Sequence, residues 1–282
     1  MQKEIRIAPA KINLSLRILG KRPDGFHEIE SLMVPLRSND LGDILHFEVA
    51  DSYSLHCENA EIPTDESNLV SRAVRVFEQS SGKTCSWKIS IEKHIPHGAG
   101  LGGGSSDAAT TLLALNELED AGFSRRELAE MGASFGSDVP FFIYEQACMV
   151  RGRGELVEPV ELTGVSGQNL LLLKPGFAVS TPDAYRGCLD AAPVSGVDYS
   201  EQQMPWGELV NDLEKPVFYK HRFLAEMKLW LLSQADVDAA MMSGSGSTMM
   251  AFVTDPASRD DLLARARREL DPTLWGCSVT TT

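Results

Sequence analysis

Hydrophobic and polar positions alternate with period two along much of the first ninety residues, the signature of half-buried strands. Lys3 to Ile7 is a short strand candidate, punctuated by Ala8-Pro9-Ala10. Ile12, Leu14, Leu16 and Ile18 then alternate with Asn13, Ser15 and Arg17. Ile29 to Leu36 reads as extended, and Leu45 to Val49 and Tyr53 to Cys57 read as two strands joined by Ala50-Asp51-Ser52 in a hairpin. From Asn68 the spacing changes to helical, with Leu69, Val70, Ala73, Val74 and Phe77 on one face. Trp87, Ile89 and Ile91 restore the strand period over Ser86 to Lys93, and Leu112, Leu113, Leu115 and Leu118 follow Ala108-Ala109 as a helical stripe.

Further on, Ser124 with Glu127 three residues later has the form of a capping box for a helix ending near Gly136. Cys148 to Val160 is a hairpin around the basic turn Arg151-Gly152-Arg153-Gly154, and Asn169 to Lys174 is an apolar strand closed by Pro175-Gly176. Thr181-Pro182 offers an N-cap and a first-turn proline for a short helix carrying Tyr185. Asn211-Asp212-Leu213-Glu214 precedes one helix running to Leu232. Strands at 238–242 and 248–253 flank Ser243-Gly244-Ser245-Gly246-Ser247, and a helix over 260–270 and a strand around Cys277 finish the chain. The periodicity supports mixed strands and helices, with a domain boundary near residue 160: 1–160 and 161–282.

Between the strand at 86–93 and the helical stripe lies the stretch Pro96-His97-Gly98-Ala99-Gly100-Leu101-Gly102-Gly103-Gly104-Ser105-Ser106. Glycine lets a backbone approach an anion without an intervening side chain, and a helix N-terminus presents unpaired N–H groups and the positive pole of its dipole. A strand, a glycine loop and a helix in succession therefore predict a phosphate cradle rather than a flexible linker. It is no Walker A loop, which requires a lysine absent here. It does match G-x-G-x-x-G at Gly98, Gly100 and Gly103, but Pro96-His97 lengthens the approach and the nearest acids, Glu117 to Asp120, fall at the end of the helix, where a dinucleotide fold would need one on the next strand.

A 43% hydrophobic content over 282 residues suffices for a substantial core. No apolar run approaches the roughly 20 residues that span a bilayer, and Met1 to Ala10 has no signal-peptide pattern, so a cytoplasmic protein is expected. Five widely spaced cysteines without a C-x-x-C pair suggest buried thiols, neither a disulfide framework nor a zinc site. The net charge of −14 excludes nucleic acid as a whole-molecule partner and requires any anionic small substrate to find a locally basic pocket.

Asp138 stands between a glycine-bearing turn and the apolar run Val139-Pro140-Phe141-Phe142, where a helix cap and a chemical role are both open. Phe26-His27 leaves the turn Arg22-Pro23-Asp24-Gly25. Together with Pro9-Ala10-Lys11-Ile12-Asn13-Leu14, the glycine stretch up to Ala109 and the second small-residue loop at 243–247, these segments resemble the GHMP superfamily of small-molecule kinases (galactokinase, homoserine kinase, mevalonate kinase, phosphomevalonate kinase). Within it the turn at 22–27, the Asp138 segment and Asn211-Asp212-Leu213-Glu214 are similar to a branch of non-mevalonate isoprenoid biosynthesis whose acceptor is a cytidine diphosphate derivative of methylerythritol.

The resemblance implies a two-domain α+β fold with the active site in the interdomain cleft, and transfer of the γ-phosphoryl of ATP, with Mg2+, to an acceptor hydroxyl. It implies Asp138 as general base and Lys11 as the cation beside it. It places ATP on Pro96 and on Gly98, Ala99, Gly100, Leu101, Gly102, Gly103, Gly104, Ser105 and Ser106, with Asn68 and Lys93 bordering the adenine. It places the acceptor near Asn13, Phe26, His27, Tyr185 and Gly244. The metal ligands stay open, and Asp107, where many relatives carry asparagine, puts a negative charge near the helix start. A partner beyond the small molecule, apart from a second copy of the chain, is not implied. The rival readings are another GHMP kinase of phosphomevalonate or homoserine type, a nicotinamide-dependent dehydrogenase, and a member of the superfamily that binds nucleotide without catalysis.

Overall fold

A computed structural model describes residues 3–36 and 41–281. Strand β1 (Lys3–Lys21) runs 19 residues without a break. Pro9 does not interrupt it, contrary to the punctuation its sequence suggests. Proline is tolerated in a strand where its missing N–H faces no acceptor, and Pro9 opens the last pair, with Gly42, before β1 and β3 (Gly42–Val49) part.

The edge of β1 is shared. Lys3 to Pro9 pair antiparallel with β3, and Ser15 and Leu16 pair in parallel with β10 (Gly207–Asn211) further along the same edge. On the opposite edge Ala10 to Lys21 pair with β2 (His27–Leu36), with a bulge between Asn13 and Ser15. Residues Ala10 to Leu14 thus have a strand neighbour on only one side. The glycine stretch takes the other side there, and Lys11 N donates to Leu101 O at 2.9 Å.

The remaining strands of this nine-stranded sheet are β4 (Ser54–Cys57), β5 (Trp87–Glu92), β6 (Cys148–Gly152), β7 (Leu156–Pro159) and β9 (Gln202–Met204). β3 and β4 do not form the expected hairpin: β5 inserts between them, antiparallel to β3 and parallel to β4. Helices α1 (Leu69–Ser81), α2 (Gly103–Leu118), α3 (Arg125–Ala133) and α4 (Val139–Tyr144) cover one face around Phe47, Phe77 and Leu112. α1 is capped by Asn68, and the Ser124–Glu127 capping box is present on α3.

The second sheet has the order β11-β12-β8-β13, with β8 (Asn169–Lys174), β11 (Val237–Met242), β12 (Met249–Val253) and β13 (Trp275–Thr280). On one face it packs α5 (Thr181–Tyr185), α6 (Glu214–Lys220), α7 (Arg222–Leu232) and α8 (Arg259–Glu269). The single helix expected to Leu232 is two, divided at His221, whose φ of −120° and ψ of 74° lie outside the helical region. α5 begins after Ser180, one residue before the predicted Thr181 cap, and no side chain caps it.

On its other face this sheet meets the underside of β1. Ile12 and Leu14 interlock there with Leu172, Met241 and Phe252, so the two halves share a core. No helix among the described residues is long and apolar enough to cross a membrane. The cysteines form no disulfide. Cys85, Cys148 and Cys188 are buried as expected, whereas Cys57 and Cys277 are only partly so. Ile12 has no exposed surface. Its replacement, Ile12→Ala, should therefore cost about 2–5 kcal/mol in urea unfolding, and a loss below about 1 kcal/mol would contradict the shared core.

Candidate active site

Period two along β1 sends Ile12 into the shared core and puts Lys11 and Asn13 together on the other face. Both are almost fully buried. Lys11 Nζ donates to Asn13 Oδ1 at 2.7 Å, Asn13 Nδ2 donates to Ser31 Oγ at 2.7 Å, and Ser31 Oγ donates to Ser15 O at 2.6 Å. This chain of bonds fixes the amide so that its oxygen faces the ammonium. A buried lysine needs such partners, since an uncompensated charge away from water is costly.

The second partner of Lys11 is Asp138, with Oδ2 3.6 Å from Nζ. Asp138 occupies the N-cap position of α4 yet makes no side-chain capping bond. Of the two roles left open by the sequence, capping is therefore not the one it fills. Its carboxylate, 38% exposed, faces the ammonium across a cleft.

That cleft is a cavity of about 380 Å³ lined from both halves of the chain, by Lys11, the glycine stretch and Asp138 on one side and by Thr181, Tyr185 and Gly244 on the other. The stretch differs from a loop leading up to a helix. α2 already begins at Gly103, so Gly103, Gly104, Ser105 and Ser106 form its first turn. Its cap residue is Gly102, with φ of 75° and no side chain to occupy the N–H groups of that turn. The N–H groups of Gly103, Gly104 and Ser105 remain available to an anion, while that of Ser106 donates to Gly102 O at 2.9 Å. Gly100 is required for another reason: a Cβ there would lie 2.2 Å from Ser243 O, a backbone atom of the second loop. The loops touch through Ser243 Oγ on Gly100 O at 3.3 Å and Thr248 N on Ala99 O at 3.2 Å.

Pro96, Asn68, Lys93 and Asp107 also line this cavity, but the polar ends of three of them have other partners. Asn68 Oδ1 caps α1 through Val70 N at 2.8 Å, and its amide donates to Pro63 O at 2.6 Å. Lys93 lies between the buried carboxylates of Asp43, which it contacts directly, and Asp107, at 2.7 Å. Asp43 Oδ1 also accepts from His94 N and Ile95 N at 2.7 and 2.8 Å. The negative charge at the helix start is thus balanced by Lys93. Burial is the largest influence on the Asp107 carboxyl and pushes it up, opposed by the Lys93 charge and reinforced by that of Asp43. Ser106 Oγ and Asp107 Oδ1 are buried and have no hydrogen-bond partner in the described structure.

A second cavity of about 560 Å³ adjoins the first, and Ile29, Asp138, Thr181 and Tyr185 line both. Its walls include Phe26, His27 and Arg153. The His27 and Tyr185 rings stack with centroids 5.4 Å apart, and the Arg153 guanidinium lies 4.8 Å from the centroid of the exposed Phe26 ring. Burial raises the Tyr185 hydroxyl and keeps it protonated. Asp43, Arg153, and the Thr181 and Ser245 hydroxyls, 3.0 Å apart, were not picked out as site residues from the sequence. The basic turn at Arg153, the Thr181-Pro182 pair and the small-residue loop holding Ser245 are visible in the sequence, whereas Asp43 carries no local signal.

Two family models match separate stretches of the chain. Residues 68–146 match the GHMP kinases N terminal domain and residues 201–271 match the GHMP kinases C terminal. A 4-diphosphocytidyl-2-C-methyl-D-erythritol kinase from Methylacidiphilum infernorum is 38% identical over 273 residues, 95% of this chain and 93% of that one. The chain belongs to the 4-diphosphocytidyl-2-C-methyl-D-erythritol kinase branch of the GHMP kinases. A Deinococcus radiodurans kinase of the same name is 38% identical and shares 95% of this chain and 90% of its own. A crystal structure of 4-(cytidine 5'-diphospho)-2C-methyl-D-erythritol kinase superposes with a TM-score of 0.77 at 32% identity, covering 99% of this chain and 100% of that one. Homoserine kinase from Cytophaga hutchinsonii, at 18% identity and a TM-score of 0.72 over 100% of this chain and 95% of that one, shares the fold alone.

Membership in this kinase family removes the dehydrogenase reading. After the glycine stretch α2 leads into α3 and α4, and the next strand, β6, pairs with β2 and β7 rather than returning parallel beside β5, so the unit a dinucleotide fold builds on its glycine turn is not formed. Lys93 is nearly buried and holds two carboxylates together. Lys93→Met should therefore destabilise this GHMP kinase by about 3–5 kcal/mol in denaturant unfolding, and a stability within about 1 kcal/mol of the parent would contradict the triad's role.

Proposed function

We propose that the chain transfers the γ-phosphoryl group of ATP to a hydroxyl of 4-diphosphocytidyl-2-C-methyl-D-erythritol, giving its 2-phosphate and ADP. The observation that carries this reading is the Lys11–Asp138 pair at the seam of the two cavities, 3.6 Å apart and served by neither a cap nor a competing ion pair.

The donor belongs on the glycine stretch. Polyphosphate oxygens accept from the free N–H groups of the first turn of α2, and the helix dipole favours their charge. The fit is backbone to anion, with glycine at 98, 100 and 102 in the left-handed region and no side chain over the cradle. Magnesium fits the same place, because the ion usually keeps water and substrate phosphates and needs only one or two protein oxygens. The Ser105 hydroxyl, which lines the cavity, would supply one, with water and phosphate oxygens completing the shell. Bound there, the ion neutralises charge on the phosphates.

The acceptor belongs in the second cavity. Its cytosine ring packs among Phe26, His27 and Tyr185, where aromatic faces and an imidazole suit a pyrimidine. Its methylerythritol hydroxyl then reaches the seam. Asp138 accepts the hydroxyl proton as the oxygen bonds to the γ-phosphorus, and the bond to the β,γ-bridging oxygen breaks with its electron pair leaving on ADP. Lys11, oriented by Asn13, faces the charge that develops on the transferring group. Asn68 and Lys93 border the donor cavity through their carbon stems, their polar ends being engaged elsewhere. Gly244 brings the second loop against Lys11 without a side chain, where a Cβ would lie 3.2 Å from Nζ. A cytoplasmic enzyme acting on a free small molecule is the corresponding reading of its setting.

The test is ADP release in a coupled assay with ATP, magnesium and either the cytidylated methylerythritol or phosphomevalonate. Preference for the cytidylated acceptor is expected, and preference for phosphomevalonate would overturn the acceptor assignment. Asp138→Asn should lower kcat by about 10²-fold or more while ATP still binds, and an unimpaired kcat would remove Asp138 as the base.

A further inference from the structure

Asn211-Asp212-Leu213-Glu214 sits outside both cavities, yet all four residues are tied to the strand and the loop that build them. Asn211, at the end of β10, is 4% exposed. Its amide nitrogen donates to Met242 O at 2.7 Å and to Gly244 O at 2.8 Å, and its Oδ1 accepts from Leu213 N at 2.9 Å. Every hydrogen-bonding direction of the carboxamide except one oxygen lone pair is used, and both donations go to the ends of the second loop's first turn.

Glu214 holds the same loop from the other side of the chain. Its Oε1 accepts from Met242 N at 2.9 Å, and its Oε2 accepts from Lys228 Nζ at 2.6 Å. Lys228 Nζ also donates to Asp198 O at 3.0 Å, and both ion-pair partners are 3% exposed at the side chain. Asp212 turns the other way. Its N–H donates to Leu16 O at 2.9 Å and its Oδ2 accepts from Ile18 N at 2.8 Å, so it is fastened to β1. Leu213 is fully buried in the core under the second sheet.

We infer that Asn211 and Glu214 are positioning residues of the phosphoryl-transfer site, setting the second glycine loop against Lys11 and the first glycine loop through a bracket anchored on β1. The inference rests on the proposed kinase reaction. The tetrapeptide links β1, which carries Lys11, to β11, which ends in the loop, by hydrogen bonds to both. Through Gly244 the loop backbone abuts Lys11 Nζ and Asn13 Oδ1, and through Ser243 it abuts Gly100. A displacement of the loop therefore moves the cation relative to the donor cradle. Misplacement by about 1 Å is worth about 10²-fold in a reaction that depends on positioning.

Two variants test this. Asn211→Asp keeps the side-chain shape and the bond from Leu213 N while removing both donations. Glu214→Asp keeps the charge opposite Lys228 while withdrawing the carboxylate from Met242 N. In folded protein, each is expected to lower kcat about tenfold or more with KM for ATP within about threefold, and to speed deuterium exchange at the amides of 243–248. Wild-type kcat in a folded variant, or unchanged exchange in the loop, would overturn the inference. Failure of both variants to fold would also overturn it, by assigning the tetrapeptide to stability alone. Wild-type protein is assayed alongside: if it does not phosphorylate the cytidylated acceptor, the kinase reading fails, and the exchange measurement still decides whether the bracket holds the loop.

Discussion

The interval on one edge of β1 between β3 and β10 is the constraint on which the site depends. A strand cannot leave buried N–H and C=O groups unpaired without a cost of about 1–3 kcal/mol each, so something must occupy that interval. The glycine stretch does so, through Lys11 N and Leu101 O. This backbone contact fixes the glycine stretch, the proposed donor cradle, at the residue whose side chain carries the ammonium. Donor loop and cation are therefore positioned by the same piece of sheet, and the bulge after Asn13 adjusts the register of β1 before β10 takes over.

Charge is arranged on the same principle of local balance. A chain with a net charge of −14 repels polyanions at a distance, yet the cleft presents a buried ammonium and a bare helix N-terminus to its ligands. The acids nearest the cradle oppose this little, because Asp43 and Asp107 share the Lys93 ammonium and burial pushes the Asp107 carboxyl up, favouring its neutral form. Among the described residues Lys11 has one carboxylate within ion-pair distance, that of Asp138, which makes no capping bond.

Much of this was legible in local sequence. Period-two and helical spacing gave most strands and helices, and the Asn68 and Ser124 caps stand where short-range chemistry places them. What was not legible depends on partners far along the chain. Pro9 looks like a breaker until its pairing with Gly42 at the end of the β1–β3 ladder is known, and β3 and β4 look like a hairpin until β5 enters between them. Lys93 reads as a ligand-binding lysine because neither of its carboxylates, 50 and 14 residues away, announces itself as its partner. Gly103 to Ser106 have low helix propensity and read as loop. Packing overrides that preference, since a Cβ at Gly103 would lie 3.1 Å from the Ile95 side chain.

In the proposed reaction donor and acceptor meet at one seam, between Lys11 and Asp138. A crystal structure of the chain with a non-hydrolysable ATP analogue, magnesium and the cytidylated methylerythritol tests it most directly. The account predicts the γ-phosphate against the first turn of α2, the pyrimidine among Phe26, His27 and Tyr185, and an acceptor hydroxyl within hydrogen-bond distance of an Asp138 oxygen and in line with the γ-phosphorus. A ternary complex with the triphosphate away from the glycine stretch, or with every acceptor hydroxyl out of reach of Asp138, would contradict it.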